Sequence, residues 1–217
     1  MTIKAYWVAS FSLLLLTACI PERVVPPPET YTLSPQWNDG KQINKVHLNN
    51  GAIIKLAPIY APQDLTSKDI LYSDAPFRRS HYAFSRWNDS PTKLLQTLIQ
   101  VRLENSNLFQ AVIPAVSASK SDLTLEATLL DLSHRIYEDG NSEGIIRINF
   151  YLIDNSNNTV LATRELVAKV PASKQNARAA VIALNKAAQK IADDLVNWLV
   201  AQVNRQKIPA TLCSGIC

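Results

Sequence analysis

The chain has 217 residues and a mild basic excess, 22 Lys and Arg against 18 Asp and Glu. That length supports one good hydrophobic core and is too short for two large domains. The cations are spread along the chain without a Lys/Arg cluster, which excludes the electrostatic footprint of a nucleic-acid binder, and only 5 glycines are present, with no phosphate-cradling loop among them.

In chain order, residues 1–4 carry one cation, Lys4, and residues 5–16 form an apolar run. The run is too short to span a bilayer, which needs roughly 20 apolar residues, and has the form of a secretory signal. It ends in Leu16-Thr17-Ala18-Cys19, which resembles a bacterial lipobox. In that resemblance the Cys19 thiol receives a diacylglyceryl group, the chain is cut before it, and the new amino group is acylated. Several acyl chains then give a stable anchor where one gives marginal binding. The next residue is Ile20 rather than Asp, which by the usual sorting pattern implies the outer membrane, with the protein facing the periplasm. Residues 19–30 contain Pro21, Pro26, Pro27 and Pro28 and read as a polyproline tether. At about 3.1 Å per residue, it holds the domain roughly 25–30 Å off the membrane; a loop folded against the domain is the alternative.

The body, residues 31–204, reads as one domain. Tyr31-Thr32-Leu33 is a short β-prone piece, and residues 51–60, "GAIIKLAPIY", read as a buried strand. Residues 70–72 and 81–87 read as a strand pair around "SDAPFRRS". Ser90-Pro91 is an N-cap and first-turn proline opening an amphipathic helix, with Leu94, Leu95, Leu98, Ile99 and Val101 on its apolar side. "LFQAVIP" enters another strand. Across residues 122–137 the apolar phase flips, from Leu123, Leu125, Ala127 and Leu129 to Leu130, Leu132 and Ile136. A β-bulge near Leu129-Leu130 accounts for that flip. Two further antiparallel strands follow, around Ile146–Leu152 and over residues 160–170, joined by polar turns. Residues 175–202 hold a 3.6-residue period from Ala177 to Leu199 and read as a long helix. At 1.5 Å per residue it is about 40 Å long, enough for its Trp198 end to overhang a small sheet. The tail, residues 205–217, contains Cys213 and Cys217. In an oxidising compartment two nearby thiols are expected to form a disulfide; free thiols and a redox pair remain alternatives.

No catalytic or cofactor constellation is present. His47, His81 and His134 have no metal-ligand spacing with one another. Glu126 and Asp131 lie on either side of the inferred bulge and read as solvated strand residues, and Asp122, Ser133 and His134 do not make a convincing triad. The chain therefore reads as a binding or structural protein, not an enzyme, with no cofactor and no metal. The segment "HYAFSRW" stands out. Period two places His81, Ala83, Ser85 and Trp87 on one face and Tyr82, Phe84 and Arg86 on the other. Interfaces are enriched in aromatic residues and Arg, so Tyr82, Phe84 and Arg86 are candidate partner-binding residues, while Trp87 is expected to pack against the helix opening at Ser90.

The ordered set of lipobox, proline-rich spacer, "YTL" at 31–33, "IIKLAPIYAPQDL" at 53–65 and the long stretch 70–112 resembles the ABC-type transport auxiliary lipoproteins, the PqiC/YmbA-like group. Trp87, Pro91, Leu94, Leu95, Leu108, Phe109 and Val112 carry the likeness; the CSGIC tail lies outside the pattern. The resemblance implies an α+β fold, a mixed and largely antiparallel sheet covered by two amphipathic helices, like the N-terminal domain of TolB. It also implies an outer-membrane lipoprotein that docks an MCE-domain protein of an inner-membrane lipid-transport complex. Apart from the resemblance, a homo-oligomer is the expected assembly. A periplasmic carrier that itself binds a lipid or envelope component is the alternative. A large apolar cavity between sheet and helix would favour the carrier, and a filled core with an exposed aromatic patch would favour docking.

Overall fold

The structure, a computed structural model, describes residues 27–34 and 51–206. The signal segment, Cys19, His47, Cys213 and Cys217 lie outside the described residues. The elements are β1 (Glu29–Tyr31), β2 (Ile53–Leu56), β3 (Asp69–Ser73), β4 (Ser80–Trp87), α1 (Pro91–Ser106), β5 (Ala111–Pro114), β6 (Leu123–Ile136), β7 (Ser142–Asp154), β8 (Thr159–Pro171) and α2 (Ala177–Gln206). This is an α+β fold with two helices and a mixed, mostly antiparallel, open sheet of eight strands.

The long strand β6 organises the sheet. One of its edges pairs along its whole length with β7, and β7 pairs with β8, both antiparallel. Its other edge is shared. The N-terminal part, Leu123–Leu125, takes β2 in parallel, and β2 takes β5. The C-terminal part, Ser133–Arg135, takes β3 in parallel. Beyond β3 come β4, antiparallel, and β1, parallel to β4. β1 begins at Glu29, so the last two residues assigned to the tether are paired into the sheet.

The expected bulge in β6 is present. The register with β7 shifts between Leu129 and Asp131, leaving Leu130 as the extra residue. Leu123, Leu125, Ala127 and Leu129 are buried before it, and Leu132 after it. The matching positions on β7 are Ile146, Ile148, Phe150 and Leu152, all buried. Both helices cover this face. Ile99 and Gln96 of α1 lie over Phe150 and Leu125. On α2, a Cβ added to Gly144 would stand 2.8 Å from the backbone nitrogen of Leu184 and 3.0 Å from the Ala183 Cβ. The inner stripe of α2 is rich in small residues (Ala180, Ala183, Ala187, Ala188 and Ala192 are buried), which permits this close approach to the sheet. Arg102 of α1 and Asp193 of α2 form an ion pair at 2.6 Å between the helices.

Three local expectations are corrected. Ser90 precedes α1 but makes no side-chain cap; its hydroxyl lies 3.2 Å from Thr92 Oγ1. α2 runs on to Gln206, so the boundary placed at residue 204 falls inside the helix. Its Trp198 does not overhang freely but packs, half-buried, against the core.

Candidate functional site

The hairpin formed by β3 and β4 departs most from regular geometry. Leu71 pairs with His81 and Asp69 with Arg86. Two residues of β3 thus match five of β4, and the extra residues break the alternation assumed for "HYAFSRW". Burial shows where the phase changes: Ala83 and Phe84 are consecutive and both exposed. Tyr82 and Trp87, expected on opposite faces, both turn to the protein, while Phe84 and Arg86 turn to solvent.

Trp87 is fully buried, in the same core as Leu95 and Leu98 of α1. Its Nε1 has no hydrogen-bond partner. Tyr82 is half-buried, with its ring centroid 4.9 Å from that of Tyr72 and its hydroxyl 2.7 Å from His134 Nδ1. Burial, with the neighbouring Tyr72, pushes the Tyr82 phenol up to about 12. Either group can donate in their hydrogen bond, according to whether the imidazole carries its proton on Nδ1 or on Nε2. That Nε2 is buried without a partner, and burial lowers the His134 pKa from its ordinary 6.5. His134 lies opposite Gly144 in the β6–β7 register, where α2 approaches the sheet closely.

Asp131 is buried, not solvated as expected. It accepts Arg79 Nη2 at 3.1 Å, the Ser133 hydroxyl at 2.8 Å and Arg135 Nη2 at 3.4 Å, and Arg79 also pairs with Asp64. The bulge at Leu130 sets Asp131 opposite Arg147, on the same outer face as Glu126 opposite Tyr151; what buries Asp131 there is its cluster with Arg79, Ser133 and Arg135. No triad is assembled. Ser133 bonds Asp131, His134 bonds Tyr82, and Asp122 accepts the Ile53 N–H at the other end of β6. Among the described residues no group of His, Cys, Asp and Glu is arranged to hold a metal ion, and no helix is long and apolar enough to cross a membrane.

What this region offers outward is aromatic. Phe84 is 59% exposed, and Phe77, in the loop joining β3 to β4, is fully exposed. Phe77 also holds φ of +60°, a left-handed conformation unusual for a bulky side chain. Phe77 borders an open groove of about 600 Å³ with Asp74, Arg135, Tyr137 and Asp139. Tyr137 donates to Glu143 there, and that bond raises its pKa. Phe77 was not singled out from the sequence; the available signal was an aromatic residue between Pro76 and the pair Arg78-Arg79 in a turn. The interior differs. The space between α1 and the sheet, lined by Leu56, Ile99, Leu125 and Phe150, holds about 10 Å³, about one water at most.

The fold and site define an α+β domain whose hairpin presents exposed aromatic residues beside a tightly packed layer of α1 and sheet. The chain belongs to the ABC-type transport auxiliary lipoprotein component family, whose description matches residues 31–196. In a crystal structure, a Xanthomonas campestris protein of the family DUF330 has a similar fold, with 20% identity and a TM-score of 0.68, over 83% of this chain and 95% of that one. A second crystal structure, of an uncharacterized protein, has 13% identity and a TM-score of 0.62, over 80% and 99%. Comparison with curated proteins returns no match.

Proposed function

We propose that this auxiliary lipoprotein is anchored through Cys19 in the outer membrane, faces the periplasm, and serves as a non-catalytic docking component for the MCE-domain protein of an intermembrane lipid-transport system, working as a homo-oligomer. The observation that carries docking over lipid carriage is the contrast between the packed layer beneath α1 and the exposed Phe84 and Phe77 on the β3–β4 hairpin. A carrier needs an apolar cavity that buries most of its ligand, and about 10 Å³ beneath α1 holds no acyl chain. Of the residues first selected, Phe84 and Arg86 are free to meet a partner, whereas Tyr82 supports them from inside through Tyr72 and His134.

Affinity purification of the membrane-anchored protein tests this reading. An MCE-domain protein is expected with the wild type and is lost with Phe84→Ala. Recovery of bound lipid without any transport component would support the carrier instead. The anchor has its own test. Cys19→Ala should leave an uncleaved or mislocalised precursor on membrane fractionation, and a variant that still partitions with the outer membrane would exclude Cys19 as the attachment point.

A further inference from the structure

The border strand β8 has β7 as its paired neighbour, and among the described residues no strand pairs its other edge. A long edge of this kind presents a row of backbone donors and acceptors that templates pairing with another strand. The direction of those groups is fixed. The Ala172 N–H donates to the Ser142 carbonyl at 2.8 Å, so by the alternation of an antiparallel ladder the even-numbered residues aim at β7. Thr163, Glu165, Val167 and Lys169 therefore aim at the open edge. Their side chains share the outer face of the sheet, since Leu166 and Ala168 are buried on the helix side. Val167 is 36% exposed. The β7–β8 register is regular from Ala162 to Pro171.

We propose that this edge takes a second copy of the same chain, antiparallel, about a two-fold axis at Val167. An axis normal to the sheet keeps the outer faces of both copies on the same side, so facing residues must share parity. Charge then selects the centre. An axis at Glu165 or Lys169 sets a like charge against itself. The axis at Val167 alone sets Glu165 opposite Lys169 of the second copy, and the reverse by symmetry. These two groups already take part in pairs within one chain, Glu165 with Arg147 at 3.6 Å and Lys169 with Glu143 at 3.7 Å. Joined copies continue the pattern: Glu143, Lys169, then Glu165 and Arg147 of the second copy, alternating in sign across the junction. Val167 meets Val167 at the centre, and Pro171, which has no N–H to give, falls at the end of the pairing, a position proline tolerates.

The proposal rests only on the self-association part of the reading above, and its test uses no transport partner, so either can fail alone. Val167→Cys is introduced into the full chain in a Cys213→Ser, Cys217→Ser background, purified from membranes in detergent and mildly oxidised. Facing residues of a hydrogen-bonded antiparallel pair have Cα atoms about 5.5 Å apart, inside the disulfide range of about 4.4–6.8 Å. A covalent dimer is expected for Val167→Cys and not for Thr163→Cys. Val167→Glu is the second variant. Within one chain the new carboxylate lies opposite Arg147, so the fold is kept; between copies it faces itself. Self-association by sedimentation is expected to weaken at least tenfold. Absence of the Val167→Cys dimer, equal cross-linking at Thr163, or unchanged sedimentation of Val167→Glu would overturn the proposal.

Discussion

The two sides of β6 are built differently. On one side, β7 and β8 are long antiparallel strands, and the face they share with β6 lies under α2. On the other, five short strands divide the remaining edge between them, most in parallel pairs. The long side is regular enough that a single bulge accounts for the burial pattern of β6. The short side contains the β4 irregularity, the positive φ at Phe77 and the buried but unpartnered Trp87 Nε1, and its Tyr82 meets His134 of β6, whose Nε2 is also buried and unpartnered. Such departures cluster where packing over-determines them and function uses them. The long side reads as scaffold, and the short side reads as the surface the scaffold presents.

The sharpest way to test that division is within β4. Trp87→Ala empties a fully buried indole site, and the expected loss is about 3–5 kcal/mol by chemical denaturation. Phe84→Ala, three residues earlier and exposed, is expected to stay within about 0.5 kcal/mol of wild type. Equal and large losses would mean that Phe84 is core and that docking lies elsewhere. Gly144→Ala breaks the scaffold side instead. One added methyl meets the backbone of α2 at 2.8 Å, and neither a helix backbone nor a paired strand yields easily. Overpacking of this kind costs about 1–3 kcal/mol, read as a fall in the denaturation midpoint. A neutral result would show that α2 floats on the sheet.

The same division governs what was legible in the sequence. In β6 and β7, alternation of Leu and Ile over many residues gave the strands, the pairing and even the bulge, because each inward position adds to one signal. β4 has eight residues, and an irregularity in the middle leaves each half too short to show its phase. Period two then put Tyr82 with Phe84, and the structure separates them. The burial of Asp131 was hidden for another reason: it shares the outer face with the exposed Glu126, and Arg79, which bonds it there, arrives from a loop far away in sequence. The parallel pairing of β1 with β4 joins residues far apart in sequence, which no local pattern reports. Nothing in the sequence around Gly144 marks it out, and only the proximity of α2 gives it a role.

His134, on β6 and joined to the short side through Tyr82, tests whether a buried polar group at that junction costs stability. Its folded pKa is lowered by burial, so between that value and the ordinary 6.5 the unfolded chain binds more protons than the folded one. Stability from this group is fully present above pH 6.5 and is lost as the pH falls toward the folded value. Denaturation at a series of pH values between 7.5 and 5 should show that decline. His134→Gln, which keeps an acceptor for the Tyr82 hydroxyl but does not titrate, should flatten it. An identical slope in the two proteins would assign the decline to other groups.

The smallest expected effect comes from Phe77, where backbone and side chain pull apart. The ring is fully exposed, so Phe77→Ala removes no buried contact, yet it keeps a Cβ in the left-handed region. Glycine takes that conformation without steric cost, but it also loosens the unfolded chain, by an amount worth about 0.4–1 kcal/mol. The two terms nearly cancel. Both variants are expected within about 1 kcal/mol of wild type, with Phe77→Gly no less stable than Phe77→Ala. Both should also reduce partner capture, because the aromatic ring is gone in each. If Phe77→Ala unfolds the domain more readily than Gly144→Ala does, the loop is part of the scaffold and the contrast between the two sides of β6 fails there. If both variants keep full capture, the docking surface is confined to Phe84 and Arg86 on β4, and the strained turn serves only to reverse the chain.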